Sequence, residues 1–93
     1  MEKAVVYILQ SIKNGTYYVG STINFENRFK QHNNGLVAST RRLRPFKIMV
    51  VMECANETEA KSNECRLKKY KRRDIIEKVI KDKIFPWDYK KRV

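Results

Sequence analysis

The sequence predicts an α/β fold in which a three-stranded, mainly antiparallel sheet is flanked by about three helices. Short runs rich in Val, Ile and Tyr alternate with longer segments whose apolar residues recur at helical spacing. The dipeptide Asn14-Gly15 separates the first two apolar runs, which is typical of a β-hairpin. A length of 93 residues suits one compact domain, so residues 1–93 are expected to form a single unit.

The first two strands are predicted over residues 4–10 and 16–19. A two-residue turn at Asn14-Gly15 predicts this pairing across the hairpin: Ser11 with Tyr18, Leu9 with Gly20, and Tyr7 with Thr22. Because side chains alternate between the faces of a strand, Tyr7 and Tyr18 are expected on one face, with a hollow between the two phenols at the glycine.

The first helix is predicted to begin after the N-cap residue Asn24 and to run to about Asn34, where Gly35 ends it. Four residues follow the i, i+3, i+4, i+7 spacing of one helical stripe: Phe25, Arg28, Phe29 and His32. Arg28 and His32 are therefore expected to border the buried face of this helix.

The second helix is predicted from Asn56 to about Arg72, because Asn56 and Glu59 resemble a capping box. Its inward stripe is predicted to contain Ala60, Glu64 and Leu67, with Tyr70 or Lys71 continuing it. Glu64 is the one carboxylate among these positions, which makes it a candidate for chemistry.

A third strand and a last helix complete the predicted fold. The strand is expected over residues 46–53, after Pro45, which disfavours helix at the residue before it. Asp74 is predicted to cap a helix that ends before residues 85–87. The apolar side of this helix is predicted to be Ile76, Val79 and Ile80.

The composition restricts the classes of function. Lys and Arg number 21 against 10 Asp and Glu, which gives a formal net charge of +11 and favours a polyanionic partner, although excess Lys can also serve solubility alone. No apolar run is long enough for a membrane span and no signal-peptide layout is visible, so a cytoplasmic protein is expected. Cys54 and Cys65 are interpreted as reduced thiols, because one His and no CxxC pair disfavour a zinc cluster or disulfide framework.

Several unusual polar residues suit phosphodiester hydrolysis, which needs a base, positive charge beside the phosphate, and a metal ion. The chain resembles the GIY-YIG nuclease superfamily over nearly its whole length, through these segments: Val5-Val6-Tyr7, Tyr18-Val19-Gly20, Arg28 with His32 four residues later, residues 39–47, and Glu64. The first of these motifs has lost its glycine. Ala38 and Phe85 also stand where many small members carry Lys and Asn.

The resemblance implies a fold like that of GIY-YIG endonucleases, and five catalytic residues: Tyr7 as general base, Tyr18 orienting water or phosphate, Arg28 on a phosphate oxygen, His32 donating to the phosphate or ordering Tyr18, and Glu64 binding Mg²⁺ or Mn²⁺. Ordinary structural roles remain open beside these. They are a strand tyrosine at position 7, an ion pair of Arg28 with Glu26 or another acid, a polar residue in the last helical turn at His32, and a salt bridge of Glu64 with Lys68.

The expected partner is nucleic acid, with DNA as the first choice, bound by a monomer or a weak homodimer. Seven residues are predicted to contact its backbone: Thr40, Arg41, Arg42, Arg44, Lys68, Lys69 and Lys71. Two other functions stay open. One is a nucleic-acid-binding module of the same fold that no longer cuts, and the other is a basic protein-interaction domain whose binding survives moderate salt.

Overall fold

The computed structural model describes residues 3–88, and the strands and helices in this range follow the predicted order. They are β1 (Val5–Ser11), β2 (Tyr17–Thr22), α1 (Phe25–Asn33), a short 3₁₀ turn (Arg41–Leu43), β3 (Phe46–Glu53), α2 (Glu57–Tyr70) and α3 (Arg73–Asp82). The sheet has the order β2-β1-β3, and both neighbouring pairs are antiparallel. The predicted fold class is confirmed.

The two faces of the sheet carry separate apolar clusters, because successive side chains of a strand point to opposite faces. Val6 and Ile8 of β1 pack in a cluster with Leu67 of α2 and Val79 of α3. The other face carries a second cluster that includes α1 residues: Val5, Tyr7, Leu9 and Phe46, with Tyr18, Phe25, Phe29 and Leu43 against them. The two tyrosines therefore lie on the face covered by α1.

The predicted helix caps of α1 and α2 are confirmed. The side chain of Asn24 accepts a hydrogen bond from the Asn27 amide, and that of Asn56 accepts one from the Glu59 amide at 2.8 Å. Each bond satisfies a backbone donor that the first turn of a helix leaves without a partner. Gly35 follows α1 with a φ of 77°, a conformation that glycine adopts without strain.

The predicted hairpin register is wrong by two residues. Tyr7 pairs with Gly20 and Leu9 with Tyr18, because the loop contains four residues, 12–15, instead of two. The Ser11 hydroxyl accepts hydrogen bonds from the amides of residues 13 and 14, and the Gly15 amide donates to the Ser11 carbonyl at 2.9 Å. These bonds stabilise the longer loop. A shift of two residues keeps every side chain on its predicted face.

Two expectations for the last helices are also wrong. Asp74 lies inside the first turn of α3, while Arg72 occupies the N-cap position and pairs with the Asp74 carboxylate at 2.7 Å. Tyr70 and Lys71 are exposed instead of continuing the inward stripe, because α2 ends at Tyr70 and Lys71 turns the chain with a φ of 50°. The other stripe residues, Ala60, Glu64 and Leu67, are buried as predicted.

Two broader expectations concern membranes and thiols. Within residues 3–88, none of the helices combines the length and apolar character needed to span a bilayer. Cys54 and Cys65 are both free thiols, as predicted.

Candidate active site

The candidate site forms around β2, which is an edge strand of the sheet. Tyr18 and Gly20 point to the face covered by α1, since they pair with Leu9 and Tyr7. Ser21 pairs with Val6 and points to the opposite face, where α2 packs. Groups from the two faces can meet only by reaching around the open edge of this strand.

The two phenols lie together, as the shared face predicted. Their ring centroids are 6.3 Å apart. The Tyr7 ring lies directly over Gly20, where a Cβ atom would come within 2.4 Å of the Tyr7 hydroxyl oxygen. The expected hollow at the glycine is therefore filled by Tyr7 itself, which is 1% exposed, whereas Tyr18 is half-buried.

His32 holds the Tyr7 hydroxyl from the buried side. Its Nε2 atom lies 2.9 Å from the Tyr7 oxygen, and its Nδ1 atom lies 2.9 Å from the Thr40 hydroxyl. Burial, together with the positive charge of Arg28, lowers the pKa of His32 to about 4. Burial also raises the pKa of Tyr7 to about 12, although Arg28 opposes this shift. Both groups are therefore neutral at physiological pH.

Arg28 supplies the positive charge of this cluster. Its side chain is half-buried, and Nη1 donates to Gln31 Oε1 at 3.1 Å. The ordinary alternative, an ion pair with Glu26, is not formed: Glu26 pairs with Lys30 at 3.8 Å. The guanidinium thus keeps donors for another oxygen, and a planar guanidinium can hold a phosphate by two parallel hydrogen bonds.

Glu64 brings a buried carboxylate to the other side of β2. Its side chain is 6% exposed, and Ser21 donates a hydrogen bond to Oε1. Burial raises the pKa of Glu64, but hydrogen bonds from Lys68 and Ser21 outweigh it, so the pKa lies below its ordinary value. The salt bridge to Lys68, which the sequence left open as an ordinary role for Glu64, is formed: Lys68 Nζ lies 2.5 Å from Glu64 Oε2.

Lys68 joins the two sides of the site. Its ammonium group contacts the Glu64 carboxylate and also lies 5.6 Å from the centre of the Tyr18 ring. The carboxylate, the ammonium and the two phenols therefore form one continuous cluster around the edge of β2.

The donor set fits a hard divalent cation bound through a single carboxylate. Among residues 3–88, no group of three or more His, Cys, Asp or Glu side chains could enclose a metal ion. Mg²⁺ commonly keeps several waters and uses one or two carboxylates together with substrate phosphates. The Lys68 ammonium group lies 2.5 Å from Glu64 Oε2, so this oxygen already has a cationic partner.

Six of the seven residues predicted to contact nucleic acid are exposed: Arg41, Arg42, Arg44, Lys68, Lys69 and Lys71. The expectation for Thr40 is corrected, because its side chain is 1% exposed and faces His32. The arginines follow Thr40 along the chain, and Lys68 and Lys71 line a cleft with Tyr18. Lys69 lies apart from that cleft, beside Arg66.

Sequence reasoning missed two contributors to the site, Ser21 and the buried role of Thr40. The orientation of Ser21 could have been predicted from strand alternation, since Ser21 lies one residue after Gly20 and must face α2. No local pattern signals Thr40, whose contact with His32 depends on how the chain returns after α1.

Comparison with known proteins gives a consistent result. The model of the GIY-YIG catalytic domain matches residues 3–83. A UPF0213 protein of Clostridium perfringens is 36% identical over 89 residues, covering 95% of each chain. A UPF0213 protein of Streptococcus pneumoniae serotype 4 is 38% identical over 71 residues, covering 75% of this chain and 71% of its own. No solved structure matches the chain.

Proposed function

Because this chain belongs to the GIY-YIG catalytic domain family, we propose that it is a metal-dependent endonuclease that hydrolyses phosphodiester bonds in nucleic acid, with DNA as the substrate. One observation carries the proposal above the others. The Tyr7 hydroxyl is hydrogen-bonded to a neutral histidine, beside Arg28 and Tyr18, at the strand edge where Glu64 lies on the other side.

Each proposed role follows from the surroundings of the side chain. Tyr7 accepts a proton from the attacking water, because it is the phenol whose hydroxyl lies 2.9 Å from a ring nitrogen of His32. Tyr18 is half-buried on the same face and orients the water or the phosphate. Arg28 holds a non-bridging phosphate oxygen.

Glu64 is the residue that holds Mg²⁺ or Mn²⁺, with Ser21 fixing the direction of the carboxylate. When bound, the metal supplies a Lewis acid that polarises a phosphate oxygen and stabilises charge on the leaving oxygen. A lone carboxylate gives a weak site, so metal affinity depends on bound nucleic acid.

The exposed cations beside the cluster bind the nucleic-acid backbone. Arg42 and Arg44 follow Thr40 along the chain, and Lys68 and Lys71 line a cleft with Tyr18. Such contacts supply affinity without reading base sequence, and they position the scissile phosphate between the two groups.

The loss of the glycine from the first motif leaves this arrangement intact. Val5 stands at that position, is 5% exposed, and keeps its pairing with Thr22 in β2. Because β1 keeps its register with β2 here, Tyr7, which lies two residues after Val5, still reaches Gly20.

A second function, a binding module that no longer cuts, is favoured by one specific contact. Both oxygens of Glu64 are occupied, Oε1 by Ser21 and Lys61 and Oε2 by Lys68, so a metal ion must displace an ammonium group. A module of this kind binds DNA but leaves it uncut in the presence of divalent ions.

The deciding experiment compares labelled linear, flapped and branched DNA, with Mg²⁺, Mn²⁺ or EDTA, for the wild type and Glu64→Gln. We expect divalent-ion-dependent cleavage by the wild type and its loss in Glu64→Gln, with binding retained. Glu59→Gln, an exposed change on the same helix, is the matched control and should cleave normally. Binding without cleavage on every substrate and ion would instead support the silent module.

A further inference from the structure

Thr40 is a buried polar residue that the proposed chemistry does not yet use. It is 1% exposed, His32 is 0% exposed and Tyr7 is 1% exposed, so three hydrogen-bonding side chains lie in a row shielded from bulk solvent. The Thr40 hydroxyl lies 2.9 Å from His32 Nδ1, and Tyr7 lies 2.9 Å from Nε2 of the same ring. Each ring nitrogen therefore has one dedicated partner.

The direction of this chain of bonds is set at its inner end. The Thr40 hydroxyl donates to the carbonyl oxygen of Val37 at 3.4 Å. A hydroxyl has one proton to donate, so its oxygen accepts from His32 Nδ1–H. A neutral imidazole with a proton on Nδ1 has a lone pair on Nε2, and that nitrogen must accept the Tyr7 proton.

We propose that Thr40 is a positioning residue that holds His32 in the Nδ1–H tautomer, so that Nε2 receives the Tyr7 proton during water activation. This role in water activation rests on the proposed nuclease function. Thr40 contacts neither substrate nor reacting atoms, and it acts through His32. The opposite tautomer would place a proton on Nε2, and the Tyr7 proton would then have no acceptor on this ring.

The resulting transfer balances. As the water oxygen bonds to phosphorus, the bond between phosphorus and the leaving oxygen breaks, and the leaving oxygen keeps the electron pair and takes a proton from solvent. In the same step the Tyr7 oxygen takes the water proton while its own proton moves to Nε2. Tyr7 ends as a neutral phenol and His32 as an imidazolium, which later returns its proton to solvent by way of Tyr7. A phosphate bound to Arg28 assists, because it offsets a positive charge that opposes protonation of His32.

The chain contains a single histidine, so its tautomer can be read without assignment of other rings. In protein labelled with ¹⁵N-histidine, long-range ¹H–¹⁵N correlation at neutral pH distinguishes protonated from unprotonated ring nitrogens. We expect a protonated Nδ1 and an unprotonated Nε2 in the wild type. A protonated Nε2 in the wild type would overturn the proposal, whatever the protein's activity.

Variants then test whether Thr40 sets the tautomer. Thr40→Val should shift the population toward protonated Nε2, whereas Thr40→Ser and Tyr7→Phe should keep Nδ1–H, because each retains the hydroxyl at position 40. Thr58→Val, an exposed change on α2, is the matched control. If Tyr7→Phe changes the tautomer while Thr40→Val leaves it unchanged, Tyr7 sets it and the proposal fails.

Kinetics provide the second readout. Thr40→Val should lower the single-turnover cleavage rate roughly tenfold or more without weakening DNA binding, and Thr40→Ser should restore it. Should Thr40→Val not fold, the wild-type spectrum and the Tyr7→Phe spectrum still decide the matter. An Nδ1–H tautomer in a protein that never cleaves would refute the nuclease function and leave the tautomer assignment standing.

Discussion

The Lys68 ammonium group lies 2.5 Å from Oε2 of Glu64. This contact satisfies a carboxylate that is otherwise shielded from water. If Glu64 binds a metal ion as proposed, the ion must displace Lys68, and a nucleic-acid phosphate is a group that can receive the charge of Lys68. Metal and nucleic acid should consequently strengthen each other's binding, since linkage between two ligands is reciprocal.

We predict that Lys68→Met tightens Mn²⁺ binding several-fold in the absence of DNA, because the competing positive charge is removed. Electron paramagnetic resonance of free Mn²⁺ measures this directly. The same variant should also lose most of the enhancement of Mn²⁺ binding by an uncleaved DNA. Lys69→Met, which changes an exposed neighbour away from Glu64, serves as control. Equal Mn²⁺ affinity in wild type and Lys68→Met would show that the ammonium does not compete.

Stability should depend on pH through His32. Burial and the Arg28 charge lower its pKa to about 4 from an ordinary value of 6.5, and the side chains of Tyr7, Tyr18 and Thr40 contact its ring. The unfolded chain takes up this proton at higher pH than the folded chain does. The stabilisation is thus fully present above pH 6.5 and is lost as pH falls toward 4, by about 3 kcal/mol in all.

Urea unfolding of the wild type and His32→Gln across this pH range checks the expectation. The difference between their free energies of unfolding should shrink as the pH falls, because the variant lacks the titrating ring. In the folded wild type, NMR should show the histidine titrating near pH 4. Titration at its ordinary pKa would contradict the burial and charge argument.

Gly20→Ala should disturb the site, because Gly20 lies in β2 directly beneath the Tyr7 ring. A methyl group there would lie 2.4 Å from the Tyr7 oxygen, and a ring buried against His32 has little room to move. We expect a loss of stability of about 1–3 kcal/mol and a strong loss of cleavage. In a Tyr7→Leu background, the same glycine substitution should cost less stability. Equal costs in both backgrounds would place the conflict elsewhere.

Binding should depend steeply on salt if the exposed cations contact phosphates. Removing one contact, by Arg42→Gln or Lys71→Gln, should weaken DNA binding on all sequences and reduce the slope of log K against log salt by about 0.9. Lys81→Gln, on the last turn of α3, is the control. Binding of an acidic protein that persists at moderate salt, without DNA binding, would favour the protein-interaction alternative.

Much of the fold could be predicted because its signals are local. Asn24, Gly35 and Asn56 mark helix ends with side chains or backbone angles that act over three or four residues. The hairpin register could not be predicted from Asn14-Gly15 alone, since the Ser11 side chain selects a longer loop. Asp74 was misassigned as a cap because Asp suits both the cap and the first turn.

Most of the side chains that meet at the candidate site could be predicted from the sequence, but only part of their arrangement could. Tyr7, Tyr18 and His32 converge because strand and helix periodicity place them on one face. Thr40 and Ser21 depend on long-range packing, and the basic context of Thr40 suggested a surface role that its burial overturns. The salt bridge between Glu64 and Lys68 followed from their spacing of four residues.

Whether the Tyr7 phenol activates the water is tested most directly by single-turnover cleavage of a labelled DNA. The proteins compared are the wild type, Tyr7→Phe and Tyr18→Phe, with binding measured on the same substrate. We expect metal-dependent cleavage by the wild type. The cleavage rate of Tyr7→Phe should be lower by roughly hundredfold or more at unchanged affinity for DNA. A smaller fall is expected for Tyr18→Phe, which orients the water or phosphate without taking the proton. Cleavage by Tyr7→Phe at the wild-type rate would contradict the claim that this phenol activates the water.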